Sequence, residues 1–280
     1  MFILRRAITG CFGAILGCGL VVQLAQAHLS IRALNVAYGE SALLCLEKNG
    51  RCEWSGLIDV GRAEDSGLIR QALNARGIRL VDAVFITHAH PDHVGSLLDG
   101  WKGPRLQTLY RSSEGSFPPE LESLRRKGTA IQTIDRDLKI SVNGGALTVE
   151  GMALSSPGGS LHANGLVVLV FYGRSALLFL GDLDPTVQES VLLSVEQRLR
   201  QTGATLQVVT WPHHGDILAP GLARRFQTIP WIALSVGPNP YQLPRVESYP
   251  ELHQRILRTD QRDSFSILCD GQWCHPVEEP

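Results

Sequence analysis

Three imidazoles and one carboxylate fall within six residues in Thr87-His88-Ala89-His90-Pro91-Asp92-His93. Imidazole nitrogen with carboxylate oxygen is a mixed donor set suited to zinc, and also to iron or manganese. Pro91 restricts the segment, so its donors can be held in place before an ion arrives. A single histidine here would read as a solvated turn residue, or as part of the cap of a helix starting near His93. Four donors at this spacing point to metal binding instead. Further donors stand singly: His162 in Leu161-His162-Ala163-Asn164-Gly165, Asp182 after Gly181, and His213-His214 before Gly215. Taken alone, His162 would be a surface loop residue, and Asp182 or Asp184 would cap a helix beginning at Pro185. Together the donors suffice for two metal ions sharing one carboxylate. Nothing competes with that chemistry, because the chain has no G-x-S-x-G nucleophile turn and no Walker-type glycine loop.

Each donor group must be carried by an element, and the pattern places most of them just after strands. Ile31–Ala37, Ser41–Glu47 and Gly56–Val60 read as strands separated by glycine turns. Val81–Thr87 is a nearly continuous apolar strand buried on both faces, and the histidine cluster follows it directly. Ala146–Leu154, Leu166–Phe171, Ser175–Leu180, Leu206–Thr210, Ile229–Val236 and Ser264–Cys269 read as further strands. Helices are expected over Glu64–Arg76, Pro118–Lys127, Pro185–Gln201, Gly221–Gln227 and Glu247–Arg258. Strands alternating with outer helices, without a linker or low-complexity tract, indicate one α/β sandwich domain. In such folds, loops at the carboxyl ends of buried strands are where ligands bind.

The chain has 280 residues, 44% of them hydrophobic and 19% charged, which excludes a charge-rich disordered protein. Lys+Arg 26 against Asp+Glu 27 leaves a formal charge of −1, so a strongly basic nucleic-acid binder is disfavoured. Arg5 and Arg6 precede an apolar run from Ala7 to Leu24 that ends in Ala25-Gln26-Ala27, which reads as a signal peptide over residues 1–27. Its removal takes two arginines and no acids, leaving residues 28–280 at −3 as an exported domain, periplasmic or secreted, with no transmembrane anchor. Four cysteines remain, and three disulfide connectivities are possible. The turns Asn49-Gly50 and Asp270-Gly271 favour the local pairs Cys45–Cys52 and Cys269–Cys274. A zinc-thiolate site is the alternative, although neither pair has CxxC spacing.

These motifs, in this order, resemble the metallo-β-lactamase superfamily, whose fold is a four-layer αβ/βα sandwich. Within it the chain is most similar to the branch containing the soluble domain of the DNA-uptake protein ComEC. The carrying residues span nearly the whole mature chain: Leu34-Asn35-Val36-Ala37-Tyr38-Gly39-Glu40-Ser41, Ile58-Asp59-Val60-Gly61, His88–His93, Gly181-Asp182, Pro212-His213-His214-Gly215, and Ser235-Val236-Gly237-Pro238-Asn239-Pro240-Tyr241. The resemblance implies that His88, His90 and His162 hold one metal ion, that Asp92, His93 and a late histidine hold a second, and that Asp182 bridges. The late ligand is His214 by its distance from the residue after Gly215, with His213 as the open alternative. Asp59 and Asn239 would support the ligands without touching metal. The chain departs from its branch at Asn35, where Asp is usual, at Asp216, where Ser is usual, and at Gln242-Leu243-Pro244, where His-Pro commonly follows the tyrosine.

The function implied is hydrolysis by a water that two divalent ions, about 3.5–4 Å apart, make largely hydroxide near neutral pH. Zinc is expected, with manganese or iron as alternatives. Asp92 would orient the nucleophile, and His213 or a metal-bound water would protonate the leaving group. The branch resemblance favours phosphodiesters, either small molecules or nucleic acid such as DNA. The alternatives are an exported hydrolase of lactones, β-lactams or small esters, and a metal-binding or structural protein without turnover. No protein partner is indicated.

Overall fold

A computed structural model describes residues 27–98, 100–113, 117–156 and 159–277. The leader read over residues 1–27 therefore lies, except for Ala27, outside the described residues. The first half of the chain forms strands β1 (His28–Ala33), β2 (Ala42–Lys48), β3 (Arg51–Ile58), β4 (Leu80–Ile86), β5 (Arg105–Ser112) and β6 (Ala130–Ile134). Then come β7 (Asp137–Val142), β8 (Leu147–Ala153), β9 (Leu166–Tyr172), β10 (Ser175–Phe179), β11 (Thr205–Thr210), β12 (Trp231–Leu234) and β13 (Ile256–Arg258). The last two strands are β14 (Phe265–Cys269) and β15 (Cys274–Val277). Helices α1 (Ser66–Ala75), α2 (Pro91–Leu98), α3 (Glu122–Arg126), α4 (Pro185–Thr202), α5 (Pro220–Phe226) and α6 (Thr259–Arg262) connect them.

The strands make two sheets, in the orders β15-β14-β1-β2-β3-β4-β5-β6 and β13-β12-β11-β10-β9-β8-β7. Each sheet is antiparallel at one end and parallel at the other, with β3–β6 parallel in the first and β10–β13 in the second. Three apolar cores identify the layers. One lies between the sheets and takes Ala83 and Phe85 of β4 and Leu177 and Phe179 of β10. The second packs the outer face of β9–β12 against Val191, Val195 and Leu199 of α4 and Leu222 and Phe226 of α5. The third packs Val84 and Ile86 of β4 against Ile69 and Leu73 of α1 and Val94 and Leu97 of α2. The order helix–sheet–sheet–helix is the four-layer sandwich expected. Phe85, 1% exposed, reaches the central core from a strand covered on both faces, and truncating it to Ala should cost about 3–5 kcal/mol.

Local chemistry sets the element ends. Pro185 opens α4, Asp184 accepts a hydrogen bond from the Thr186 N–H at 2.9 Å as its cap, and Gly203 closes it at φ 68°. Asp184 rather than Asp182 is therefore the cap, which frees Asp182 for another role. Disulfides join Cys45 to Cys52 across the β2–β3 turn and Cys269 to Cys274 across the β14–β15 turn. The helix expected over Glu247–Arg258 is absent. Two 3-10 segments, Val246–Ser248 and Pro250–Arg255, lead instead into β13, where Ile256–Arg258 pair in parallel with β12. Pro250 lacks an N–H and restricts Tyr249 before it, which breaks a continuous α-helix. No helix among the described residues is long and apolar enough to cross a membrane.

Candidate metal centre

The site lies where the carboxyl ends of β3, β4, β10 and β11 converge from the two sheets, as expected at strand ends of this kind. After β4, the chain runs through Thr87, His88 and His90 before Pro91 opens α2, so Asp92 and His93 sit in that helix's first turn. Asp59 follows β3 with φ 54°, a left-handed turn that aims its carboxylate across to β4. Gly181, at φ 52°, follows β10, and a Cβ there would stand 2.7 Å from Thr87 Oγ1. Glycine is required at 181 both by conformation and by this approach, which seats Asp182 over the β4 loop. His213 and His214 follow β11, both left-handed at φ 52° and 53°, and the His213 N–H donates to the Gly181 carbonyl at 3.1 Å. The Leu166 N–H donates to the Thr87 carbonyl at 2.7 Å, tying the β9 start, and His162 four residues earlier, to the same point.

Two donor groups share Asp182, with His88, His90 and His162 in one and Asp92, His93 and His214 in the other. Within each group the donor atoms lie within 4.8 Å of one another. Asp182 belongs to both, and its oxygens divide the work. Oδ2 lies 3.6 Å from His88 Nε2 and 3.7 Å from His162 Nε2, while Oδ1 lies 3.1 Å from His93 Nε2 and 3.5 Å from His214 Nε2. His90 Nδ1 is 3.0 Å from His162 Nε2, and Asp92 Oδ2 is 3.3 Å from His214 Nε2.

The far side of each buried ring is held by a partner that fixes its tautomer. His93 Nδ1 lies 2.8 Å from Asp59 Oδ2, and Asp59 is itself 0% exposed. The Thr87 N–H and hydroxyl donate to the two oxygens of Asp59 at 2.8 and 2.7 Å. Because that hydroxyl donates to Asp59, it can only accept from His88 Nδ1, 3.1 Å away. His214 Nδ1 donates to the Ser235 carbonyl at 3.1 Å. All three rings thus turn Nε2 toward the shared centre, the orientation a metal ligand needs. Among the described residues, His88 Nε2, His93 Nε2, His214 Nε2 and Asp182 Oδ1 are buried without a hydrogen bond. Four orphaned donors and acceptors around one point would be costly in a finished core, and they fit a cation. The cluster is suited to metal binding.

Burial and neighbouring charges set the protonation of the cluster. Burial opposes ionisation of Asp182, yet His93 and His214 hold its carboxyl well below the usual range. Burial likewise disfavours a charged His93, but Asp182 and Asp59 hold its imidazole well above the usual range. Burial and the nearby His93 push His88 well below it. Burial lowers His162 to about 4.

His213 stays at the rim, with Nε2 3.9 Å from Asp182 Oδ2 and Nδ1 3.5 Å from Asp216 Oδ2. Asn239 is placed apart from the ligand supports. Its amide closes its own loop, donating to the Gly237 and Leu243 carbonyls and accepting from the N–H groups of Tyr241 and Leu243. Four residues not singled out as site residues from sequence complete the setting. Thr87 supports two ligands, and Glu40, buried beside Asp59, has its carboxyl pushed up to about 8 by burial and by that neighbour. Tyr38 and Arg245 line the pocket above the cluster, which has a volume of about 560 Å³. Glu40 had one legible signal, an acidic residue set directly before an apolar strand; Arg245 had none.

The family model for the metallo-beta-lactamase superfamily matches residues 57–222. ComE operon protein 3 of Bacillus subtilis (strain 168) is 27% identical over 205 residues, covering 71% of this chain and 25% of the relative. The chain thus spans about a quarter of the length of the curated relative it matches. Among solved structures, unliganded yeast PDE1 superposes with a TM-score of 0.56 at 12% identity, over 83% of this chain and 97% of that one, a likeness of fold.

Proposed function

The chain belongs to the metallo-β-lactamase superfamily as a metal-dependent hydrolase, and from that premise we propose that it is an exported phosphodiesterase working with two divalent metal ions. One observation carries the two-ion reading: the two oxygens of Asp182 face separate imidazole sets, and the buried atoms facing them lack hydrogen bonds. His88, His90 and His162 would hold one ion, Asp92, His93 and His214 the other, with Asp182 shared. Zinc suits this imidazole-rich set best. Bound there, the ions supply Lewis-acid polarisation of a phosphoryl oxygen and an activated water.

The chain's own residues do the rest. Asp59, Thr87 and the Ser235 carbonyl keep the ligand rings in one tautomer and orientation. Asp92, at the pocket wall, can accept a hydrogen bond from the attacking water and orient it. His213 lies at the rim with Nε2 toward the centre, placed to give a proton to the leaving oxygen. Support for a phosphodiester comes from the branch resemblance, the similarity to ComE operon protein 3, and a cationic side chain, Arg245, in the pocket wall. We read residues 28–280 as the mature domain. Two disulfides suit an oxidising compartment, periplasmic or extracellular.

The test is metal analysis of residues 28–280 together with turnover of a chromogenic phosphodiester, single-stranded DNA, a lactone and a chromogenic β-lactam. Two metal ions per chain and phosphodiester cleavage are expected. Lactone or β-lactam hydrolysis without phosphodiester cleavage would sink the proposal.

A further inference from the structure

Above the cluster, the pocket opens through side chains that the hydrolytic steps leave unused. The Tyr38 ring centroid is 4.5 Å from that of His214, and Tyr241 lies 5.5 Å from Tyr38, with interplanar angles of 48° and 36°. An aromatic ladder therefore climbs from a buried ring of the cluster to Tyr241, which is 60% exposed at the mouth. An exposed ring at the edge of a pocket offers its face to another planar group. Arg245 stands on the same loop, the only Lys or Arg among the described residues that line this pocket. Its Nε is 3.0 Å from Asp216 Oδ1, and its backbone N–H donates to the Gly215 carbonyl at 2.8 Å. Arg245 is thus held by its main chain and, at Nε, by an ion pair beside the cluster, and a planar fork so placed suits phosphate oxygens.

Both features are built rather than incidental. Asn239 Oδ1 accepts from the Tyr241 N–H at 3.0 Å and the Leu243 N–H at 3.2 Å, so one amide sets the loop between the aromatic and the cation. Asp216, which holds Arg245, is where the chain departs from the serine usual in its branch. Resting on the phosphodiesterase reading above, we infer that Arg245 with the Tyr38–Tyr241 pair forms a subsite for one nucleotide of a small or single-stranded substrate. Arg245 takes a phosphate oxygen and Tyr241 stacks on the base. A duplex fits poorly, because its bases are already stacked and one cation is no track for two phosphate backbones.

The test uses two esters with one leaving group, the para-nitrophenyl ester of thymidine monophosphate and methyl para-nitrophenyl phosphate. Equal leaving-group chemistry makes the ratio of their kcat/KM values a measure of what the nucleoside contributes. Base stacking predicts a preference of roughly tenfold or more for the nucleotidyl ester. Tyr241→Ala should bring that ratio toward one, and Tyr241→Phe should restore it. Trp273→Ala, which removes an exposed aromatic outside the pocket, should not move it. Arg245→Ala should raise KM for both esters roughly tenfold, with a smaller effect on kcat. Calorimetric titration with thymidine monophosphate reads the subsite without turnover, and both substitutions to Ala should weaken binding roughly tenfold. A ratio within about twofold of one, with phosphodiester cleavage intact, overturns the subsite and leaves the hydrolase reading standing. If neither ester is cleaved, the phosphodiesterase reading fails and titration decides the subsite. Thymidine monophosphate that does not bind, or binds regardless of Tyr241 and Arg245, then overturns it.

Discussion

The two halves of the His/Asp cluster use the same side-chain types and differ in what stands behind them. His88 and His162 meet Asp182 Oδ2, and the hydroxyl of Thr87 is the support beneath His88. His93 and His214 meet Oδ1, with Asp59 behind His93 and Asp92 beside His214. Burial pushes all four imidazoles toward neutrality. In the first half burial prevails, and His88 and His162 fall below the ordinary value of 6.5. In the second half burial is outweighed, at His93 by Asp182 and Asp59 and at His214 by Asp182 and Asp92, and both rise above it. Neighbouring carboxylates, more than depth, decide which histidines hold a proton.

Asp182 is the one residue whose loss should erase that distinction. Asp182→Asn keeps the shape and removes the shared charge, so both halves should lose their ion. We expect phosphodiester kcat/KM to fall by about 10³-fold or more, several kcal/mol of transition-state stabilisation, with metal content dropping below one ion per chain after dialysis. Two ions retained in that variant would break the view of a shared carboxylate. Asp59→Asn should act on one half only. It weakens the hold on His93 Nδ1, and affinity for the second ion should drop by about 10–100-fold while the first stays bound. Stepwise loss on titration with a chelator distinguishes the two outcomes.

Thr87→Val tests the opposite half at about tenfold. The hydroxyl accepts from His88 and donates to Asp59, so its removal unseats the His88 tautomer and leaves Asp59 its backbone bond from Thr87. The same chelator titration should show the first ion loosened more than the second.

The sequence made the donors within each half unequally legible. His88, His90, Asp92 and His93 come from one loop and one helical turn, so their spacing alone announces a site. His162, Asp182 and His214 arrive singly from loops around the second sheet, and only their order along the chain marks them. Glu40 and Arg245 escape any spacing rule, because one is buried against Asp59 and His93 and the other is placed by the Asn239 loop. The fold divides the same way. The double-sided apolar run of β4 and the capped helix α4 are readable, whereas the short β6 and β7 expose half or more of their residues and gain their partners only from the sheets. The matching half-antiparallel, half-parallel build of the two sheets has no echo in a sequence repeat, since it is a likeness of hydrogen-bonding pattern and not of side chains.

The most discriminating effect involves no substitution and reads the protons themselves. His93 and His214 have folded values above 6.5, so at pH 6.5 both mostly carry protons that must leave before Nε2 can bind an ion. Affinity of the second half should therefore rise with pH from 6.5 until those raised values are passed, by up to about tenfold per pH unit for each proton displaced. His88 and His162 have folded values below 6.5 and are already mostly neutral there, so these two ligands should add no pH dependence to the first half until pH falls toward about 4, where His162 gains its proton. Calorimetric titration in two buffers of different ionisation heat measures the protons released with each ion. The second half should release more protons than the first. Equal release from both would mean that the carboxylates behind His93 and beside His214 do not set its chemistry apart.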